Sequence, residues 1–338
     1  MKRTLIVFLI IACLFTGCSV QKEQKQYTAT FLTLFDTVTT VIGRDVSEEV
    51  FQKKAQAVYD KLYEYHVLFD IYSEYESINN LKTVNSMAGI EPVKVDKRII
   101  DLLTDLKNYY FLTSGRVNAA MGSVLSLWHE ARNSGINDPL NAYLPDNEAL
   151  EEAKKHASFD SVIIDTEAST VFLSDPLMSL DVGAVAKGWA AEKVAEASPE
   201  GLLISVGGNV VATGPKDEKG TPWVIGIQDP DSDKYVNTIY LSKGSVVTSG
   251  DYQRGYMVKD EYYHHIIDPG TLYPAKFFRA VTVVCPSSGL ADALSTALFL
   301  LPMEDGQALL GQFGAEAVWI DLEGNLHYSP GFQKLIRT

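Results

Sequence analysis

Asp292 and Thr296 stand four positions apart in the largely apolar stretch 291–297. A helix through this stretch puts both side chains on one face, because positions i and i+4 lie one above the other. A carboxylate and a hydroxyl are hard oxygen donors, which Mg²⁺ takes together with waters and substrate phosphates. The same residues also fit a plain helix start, capped by Ser288 or by Asp292 itself, with a core-facing threonine. The pair therefore predicts either a magnesium site or a structural helix start.

Small residues and a lysine follow a short apolar run in the segment 180–188. Gly183 and Ala184 would allow a ligand to approach the backbone closely. A helix that starts here offers free N–H groups to an anion, and Lys187 adds a positive charge one turn further on. The segment contains neither G-x-x-x-x-G-K-[ST] nor G-x-G-x-x-G. It predicts phosphate binding or, alternatively, a closely packed turn from strand to helix.

Two adjacent histidines, His264 and His265, precede Asp268. Neighbouring residues of a strand point to opposite faces, so we do not expect the two rings to bind one metal ion together. One of them, beside Asp268, could act as a base or orient a phosphate. The alternative is one surface histidine and one core histidine. The remaining histidines show no spacing signal and are interpreted as structural: His66, His129, His156 and His327.

Two further segments, 205–209 and 248–252, place glycine and small hydroxyl residues at the ends of β-rich runs. Such residues allow a ligand to approach the backbone closely, but they also occur at bulges and turns. Neither segment distinguishes these possibilities by itself.

The first eighteen residues have the pattern of an export signal. A basic start precedes an apolar run at 4–15, which is too short to span a bilayer stably. Gly17 and Cys18 follow directly, as in the lipobox of bacterial lipoproteins, where the cysteine is acylated. The alternative is an ordinary signal peptide followed by a chance cysteine.

This pattern divides the chain into three parts. We expect a signal peptide over 1–17, a polar tether over 18–27 that begins at lipidated Cys18, and one domain over 28–338. Two acyl chains would give a stable anchor to the outer face of the bacterial cell membrane. If Cys18 is acylated, the mature chain keeps one other cysteine, Cys285, which its apolar surroundings predict to be a buried core residue.

The charge balance limits the class of partner. The net charge is -14, and no basic stretch is dense enough to follow a phosphate backbone. We therefore expect no nucleic-acid binding. Broad electrostatic adhesion to anionic lipid is disfavoured for the same reason, so membrane attachment would depend on the lipid anchor.

The coarse pattern of elements predicts an α+β fold. Ser47 and Asp96 each precede a stretch with apolar residues at three- and four-residue steps, which predicts two capped helices. The second half contains short β-rich runs separated by turn signals, with a helix predicted from residue 184 to 196 among them. Strands and helices do not alternate strictly. The pattern favours a mostly antiparallel or mixed sheet with packed helices over a doubly wound parallel sheet, and it predicts a loop over 133–145.

Taken in chain order, these segments resemble the ApbE family of flavin transferases. The resemblance extends over about residues 28–325. The segments that carry it are 35–37, 73–81, 118–122 with 127–128, 181–188, 207–209, 248–251, 265–269 and 292–296. The export signal and the cysteine after it also suit the family.

The resemblance implies an ApbE-like fold that binds FAD, with Mg²⁺ at the pyrophosphate. The metal ligands would be the carbonyl of Ala184 and the side chains of Asp292 and Thr296. The FAD contacts would come from Phe35, Tyr75, Asn118, Ala119, Ala120, Asp181, Lys187, His265 and Ile266.

The resemblance also implies an enzyme that transfers FMN from FAD to a Thr or Ser hydroxyl of an acceptor protein and releases AMP. His265 is the first choice for accepting the hydroxyl proton or stabilising the phosphate, and Asp268 is the second. Two alternatives remain open. The same site could hydrolyse FAD to FMN and AMP with water as the acceptor, or the chain could be a non-catalytic flavin-binding lipoprotein.

Overall fold

The computed structural model describes residues 24–338, in which eight α-helices accompany fifteen β-strands. The helices are α1 Glu48–Phe69, α2 Leu81–Ser86, α3 Lys97–Leu112, α4 Gly122–Asn137, α5 Asn147–Lys154, α6 Ala186–Glu196, α7 Ser288–Phe299 and α8 Met303–Leu310. Short 3-10 turns lie at Ala119–Met121, Pro139–Asn141, Phe159–Ser161 and Phe332–Lys334.

The strands of the first half are β1 Lys25–Leu34, β2 Thr37–Asp45, β3 Val93–Lys94, β4 Val162–Asp165 and β5 Thr170–Leu173. Those of the second half are β6 Leu202–Val206, β7 Asn209–Ala212, β8 Trp223–Gln228, β9 Tyr235–Leu241, β10 Gly244–Gly250, β11 Gly255–Val258, β12 Glu261–His264, β13 Phe278–Cys285, β14 Glu316–Asp321 and β15 Leu326–Tyr328.

One eight-stranded sheet forms the centre of the described chain, in the order β1-β2-β6-β7-β10-β13-β14-β15. Three smaller sheets accompany it: β11-β12, β3-β5-β4 and β8-β9. Every strand pairing within these sheets is antiparallel. The predicted α+β class with a mostly antiparallel sheet and packed helices is therefore confirmed.

The large sheet buries both of its faces, as alternate residues of its strands show. Ile204 and Val247 belong to a core shared with the helices. Their neighbours Leu203 and Val246 belong to a second core that includes residues of β8 and β9. Because side chains alternate across a strand, the two cores lie on opposite faces. Helices α6 and α7 contact each other and strands of the sheet, and this helix contact positions the residues described below.

The helix starts follow from local capping. The side chain of Ser47 accepts from the N–H of Val50 and that of Asp96 accepts from the N–H of Arg98, which confirms both predicted caps. Helix α7 is capped by Ser287 rather than by Ser288 or Asp292, so the cap prediction is wrong there. The predicted loop over 133–145 is also wrong in its first part, because α4 continues to residue 137.

The N-terminal predictions lie mostly outside the described residues. This applies to the signal peptide over 1–17, to Cys18 and to the tether up to residue 23. Residues 25–27, which the prediction assigns to the tether, belong to β1 and pair with β2. Among residues 24–338, none of the helices combines the length and apolar character needed to cross a bilayer.

Candidate active site

Asp292 is a buried carboxylate that joins three elements. It lies on α7 and is 5% exposed. Its Oδ2 accepts from the backbone N–H of Gly188 at 2.9 Å and from Nδ2 of Asn209 at 2.7 Å. Burial raises the pKa of Asp292, while the charge of Lys187 and these two hydrogen bonds act in the opposite direction. Within the described residues both bonds reach Oδ2, and Oδ1 has no hydrogen-bond partner.

Gly188 is required where α6 meets α7. A Cβ at this position would lie 2.6 Å from Cβ of Asp292 and 2.6 Å from the carbonyl oxygen of Ser288. Its N–H donates to Asp292, so it is not used for the carbonyl four residues earlier, that of Ala184. No other described residue donates to this carbonyl, and Ala184 itself is exposed. The packing of the two helices therefore leaves a backbone acceptor available.

Thr296 lies one turn beyond Asp292 on the same helix, as the sequence spacing predicts. Its Oγ1 is 3.4 Å from Oγ of Ser249, at the end of β10, and Oγ of Ser249 is 2.8 Å from Oγ of Ser295. Thr296 is half-buried. A row of hydroxyls thus runs from α7 to the strand end.

These residues fit a magnesium ion. No group of three or more His, Cys, Asp or Glu side chains within residues 24–338 could hold a metal, so a cation here would depend on one carboxylate and neutral oxygens. Oδ1 of Asp292, the carbonyl of Ala184 and the hydroxyl of Thr296 are all hard oxygen donors. Mg²⁺ typically combines one or two carboxylates with waters and substrate phosphates.

Asp181 and Lys187 shape the turn that leads into α6. Oδ1 of Asp181 accepts from the N–H of Gly183 at 2.9 Å. Nζ of Lys187 donates to the carbonyl of Gly183 at 2.9 Å. The helix begins at residue 186, two residues later than predicted. The charge of Lys187 lowers the pKa of both Asp292 and His265, so this ammonium group lies near both.

Residues 118–120 lie beside Asp181, whose N–H donates to the carbonyl of Ala119 at 2.8 Å. Oδ1 of Asn118 accepts from the N–H of Ala120 at 2.9 Å, and its Nδ2 donates to the carbonyl of Ala157 at 2.9 Å. The side chains of Ala119 and Ala120 are buried in the core. Contact of the three residues with FAD stays a prediction, and burial limits the role of the two alanine side chains in it.

His265 is held by the carbonyl of Arg254, which accepts from both the backbone N–H and Nδ1 of this histidine at 3.1 Å. Because a carbonyl can only accept, the ring proton lies on Nδ1 and Nε2 carries the lone pair. Burial, and next the neighbouring His264, lower the pKa of His265 to about 3. The ring is therefore neutral at physiological pH.

His264 is the core member of the pair, as one of the two predicted alternatives requires. Its Nε2 donates to the carbonyl of Ala275 at 2.7 Å, and its Nδ1 accepts from the N–H of Ile266 at 3.1 Å. Burial lowers the pKa of His264. The side chain of Ile266 is buried, so its predicted contact with FAD would be made by its backbone.

Asp268 organises the loop after β12. Its Oδ1 accepts from the N–H of Gly270 at 2.7 Å and from Nη1 of Arg116 at 2.9 Å. The indole N–H of Trp128 donates to the carbonyl of Leu272 in the same loop. The catalytic role of Asp268 stays a prediction, and its contacts within the described chain are those of a residue that fixes a loop.

Phe35 and Asp36 form the two-residue turn between β1 and β2, each with φ of 51°. The N–H of Phe35 donates to Nδ1 of His66 at 3.3 Å. The carbonyl of Asp36 accepts from Nη2 of Arg254 at 3.3 Å. Phe35 therefore lies next to the segment that holds His265, whereas the hydroxyl of Tyr75 is directed to Oδ2 of Asp70.

Tyr72 and His129 lie beside a predicted site residue, although the sequence pattern singles out neither of them for the site. Tyr72 is 63% exposed, and its hydroxyl lies 3.2 Å from Nδ1 of His129. Nε2 of His129 lies 3.9 Å from Oδ2 of Asp181, which brings both rings to a predicted FAD contact. The pKa of Tyr72 is raised to about 12, mainly by burial and next by the charge of Asp181, while the charge of Arg132 lowers it. His129 and Arg132 are three positions apart on α4, and this spacing is the sequence signal that places both side chains on the same face of the helix.

Two cavities are lined in part by residues of β12. A narrow one of about 10 Å³ has His129, Arg132 and His265 in its wall, which is room for about one water molecule. A larger cleft of about 620 Å³ is lined by Asp251, Arg279 and their neighbours and by none of the predicted site residues. Of the predicted site residues, His265 alone lines one of these two cavities, the narrow one.

Comparison with known sequences gives consistent matches. The profile described as the ApbE family matches residues 35–319. The chain is 32% identical to the FAD:protein FMN transferase of Treponema pallidum, over 98% of this chain and 94% of that protein. It is 31% identical to the FAD:protein FMN transferase of Klebsiella pneumoniae, over 72% of this chain and 78% of that protein.

Solved structures match along almost the whole chain. An ApbE protein of Thermotoga maritima superposes with a TM-score of 0.81 at 29% identity, over 93% of this chain and 100% of that chain. The flavin transferase ApbE of Vibrio cholerae superposes with a TM-score of 0.75 at 22% identity, over 93% of this chain and 100% of that chain, and this second match supports the fold alone.

Proposed function

The chain belongs to the ApbE family, and from this premise we propose that it is a magnesium-dependent FAD:protein FMN transferase. In the proposed reaction FMN moves from FAD to a Thr or Ser hydroxyl of an acceptor protein, and AMP is released. The similar relatives from Treponema pallidum and Klebsiella pneumoniae carry the name of this activity. The observation that carries the metal part of the proposal is the hydrogen bond from Gly188 to Asp292, which leaves the Ala184 carbonyl available.

Asp292, Thr296 and the carbonyl of Ala184 would hold the cation. When bound, Mg²⁺ would neutralise negative charge on the pyrophosphate oxygens of FAD. Asp292 is kept in place by Gly188 and Asn209, so its free oxygen needs little reorganisation to bind a cation. Its burial also excludes water, which strengthens electrostatic interactions in the site.

The transfer exchanges one phosphorus–oxygen bond for another. The acceptor hydroxyl oxygen bonds to the phosphorus of the FMN half, and the bond from that phosphorus to the AMP phosphate breaks. AMP leaves with the electron pair. Such a reaction depends mainly on alignment and on stabilisation of negative charge. Lys187, whose charge reaches both Asp292 and His265, would supply part of that stabilisation.

His265 would orient the acceptor hydroxyl. Its Nδ1–H is engaged by the carbonyl of Arg254, so the lone pair of Nε2 is available to accept the hydroxyl proton. The lowered pKa keeps the ring neutral, so Nε2 can accept a hydrogen bond from the hydroxyl, and it also makes Nε2 a weak base. Asp268 remains the second candidate for this proton, although Arg116 and Gly270 already engage one of its oxygens.

We test the activity with purified protein, FAD, Mg²⁺ and a candidate acceptor protein. Transfer predicts a covalent FMN adduct on a Thr or Ser by mass spectrometry, with an equal amount of AMP. Free FMN and AMP without an adduct would show a hydrolase instead. FAD binding without AMP formation would show a non-catalytic flavin carrier.

The proposed location is the outer face of the bacterial cell membrane. Its support is the sequence at 1–27: a short apolar run followed by Gly17, Cys18 and a polar tether. The test compares the unaltered chain with Cys18→Ala, both in their distribution between membrane and soluble fractions and in palmitate labelling. Equal membrane association and labelling of both chains would contradict the proposal.

A further inference from the structure

Arg132 and Arg254 are arginines without a carboxylate partner among residues 24–338. The single hydrogen bond of either guanidinium in this part of the chain runs from Arg254 to the carbonyl of Asp36, at 3.3 Å. Arg98, Arg116 and Arg279, by contrast, each form an ion pair with an acid. Within the described residues Arg44 and Arg337 also lack a carboxylate partner, and Arg132 and Arg254 are set apart from them by their contacts around His265, where an anion would complete the site.

Arg132 and Arg254 both lie close to His265. Arg132 lies in the wall of the narrow cavity together with His129 and His265. Arg254 is fixed to His265 through its backbone carbonyl. Both arginine charges lower the pKa of Tyr72, against the effect of burial. They also lower the pKa of His129, in the same direction as burial. Both guanidinium groups therefore lie near these two rings.

We propose that Arg132 and Arg254 bind the phosphate group of the FMN half of FAD. This inference rests on the proposed function. A planar guanidinium can donate two parallel hydrogen bonds to phosphate oxygens, which a lysine cannot do. The oxygens of the transferred phosphate gain negative charge in the transition state. Two arginines beside His265 would place positive charge next to the acceptor hydroxyl, in addition to the charge of Lys187 and of the proposed cation.

FMN and riboflavin differ by one phosphate group, so comparing their binding separates a contact to the phosphate from contacts to the flavin ring. We would measure dissociation constants of FMN, riboflavin and AMP without metal, by flavin fluorescence and by competition. The variants are Arg132→Gln, Arg254→Gln and the double variant. Arg337→Gln removes an exposed arginine on the C-terminal segment and serves as the matched control.

The expected result is specific to the phosphate. Each Gln variant should weaken FMN binding about tenfold, because a hydrogen bond to a charged group contributes about that much. Riboflavin and AMP binding should stay within about twofold, and Arg337→Gln should behave like the unaltered chain. Equal losses for FMN and riboflavin, or unchanged FMN binding in the double variant, would overturn the inference.

Lysine variants guard against a folding artefact. Arg132→Lys and Arg254→Lys keep the positive charge but lose the paired N–H donors of the guanidinium. Their affinity for FMN should therefore lie between that of the unaltered chain and that of the Gln variants. Transfer rates separate this inference from the proposed function. If the unaltered chain transfers FMN normally and the arginine variants bind FMN as well as it does, this inference is wrong while the proposed function stands. If FMN binding depends on the two arginines but no FMN is transferred to acceptors, the proposed function is wrong while the phosphate contact stands.

Discussion

The backbone N–H of Gly188 donates to Oδ2 of Asp292 at 2.9 Å, across the contact between α6 and α7. This bond replaces the helical one that Gly188 would make to Ala184. One hydrogen bond thus does two things: it fixes a buried carboxylate, and it leaves a carbonyl available for a cation.

Gly188→Ala should separate the two helices. The added methyl group would meet Asp292 and Ser288 at 2.6 Å, so one helix must shift. We expect a loss of about 1–3 kcal/mol in the free energy of unfolding, together with weaker magnesium binding. Denaturant unfolding and isothermal titration would measure the two effects.

Gly311→Ala is the matched control for that substitution. Gly311 lies at the end of α8, and its nearest neighbour to an added Cβ is 3.6 Å away. Its unfolding free energy should stay the same or rise by about 0.5 kcal/mol. Equal losses at both positions would show that the contact with Asp292 is not the cause.

Asp292→Asn should weaken magnesium binding while preserving the fold. The amide oxygen can still accept from Gly188 and Asn209, but the negative charge is gone. We expect a loss of more than about a hundredfold in magnesium affinity, since even residues behind the ligands cost about 10- to 100-fold. Titration with Mg²⁺ in the presence of FAD would measure this. Unchanged affinity would exclude Asp292 as a ligand.

The stability of the metal-free protein should depend on the charge of Asp292. Burial raises its pKa in the folded state, so between the unfolded and folded pKa values the folded chain binds more protons than the unfolded chain. The free energy of unfolding therefore falls as pH rises through this interval. Asp292→Asn should unfold at a higher temperature than the unaltered chain at neutral pH, and the difference should shrink as the pH is lowered. A neutral-pH midpoint below that of the unaltered chain would contradict this account.

His265→Ala should slow FMN transfer by about a hundredfold to ten-thousandfold, with FAD binding retained. The exposed His327, which pairs with Asp321, provides the control substitution His327→Ala. Because the pKa of His265 is lowered to about 3, protonation of this ring should not reduce the rate between about pH 5 and pH 8. Near-normal transfer by His265→Ala would remove the residue from the mechanism.

Arg116→Gln tests whether Asp268 fixes its loop or takes part in the chemistry. The pair is partly exposed, with Arg116 33% accessible, so the loss of stability should be about 1 kcal/mol or less. If Asp268 only organises the loop, Arg116→Gln and Asp268→Asn should lower the thermal midpoint and the rate to similar extents. A far larger rate loss in Asp268→Asn would instead favour its predicted catalytic role.

Local pattern predicted the parts of the site that lie within one element. The i, i+4 spacing placed Asp292 and Thr296 on one face, and the caps at Ser47 and Asp96 follow from side-chain acceptors before apolar runs. Antiparallel pairing followed from the absence of strict alternation between strands and helices. Each of these relationships spans only a few residues, so the sequence determines it directly.

The sequence did not predict the relationships between elements. Asn209 reaches Asp292 across 83 positions, and Tyr72 reaches His129 across 57. Tyr75 matched the family segment, yet its hydroxyl bonds to Asp70, and Tyr72 is the tyrosine beside Asp181. Such contacts depend on how distant elements pack, which spacing along one chain does not encode.

The turn at Phe35 and Asp36 has a consequence for the order of folding. Tight turns with two positive φ angles usually contain asparagine and glycine, and neither occurs here. The turn is instead stabilised by His66 and by the side chain of Arg254, which lies 218 positions from Asp36. We therefore expect this end of the β1–β2 hairpin to acquire its final shape late, after the C-terminal half of the chain has docked.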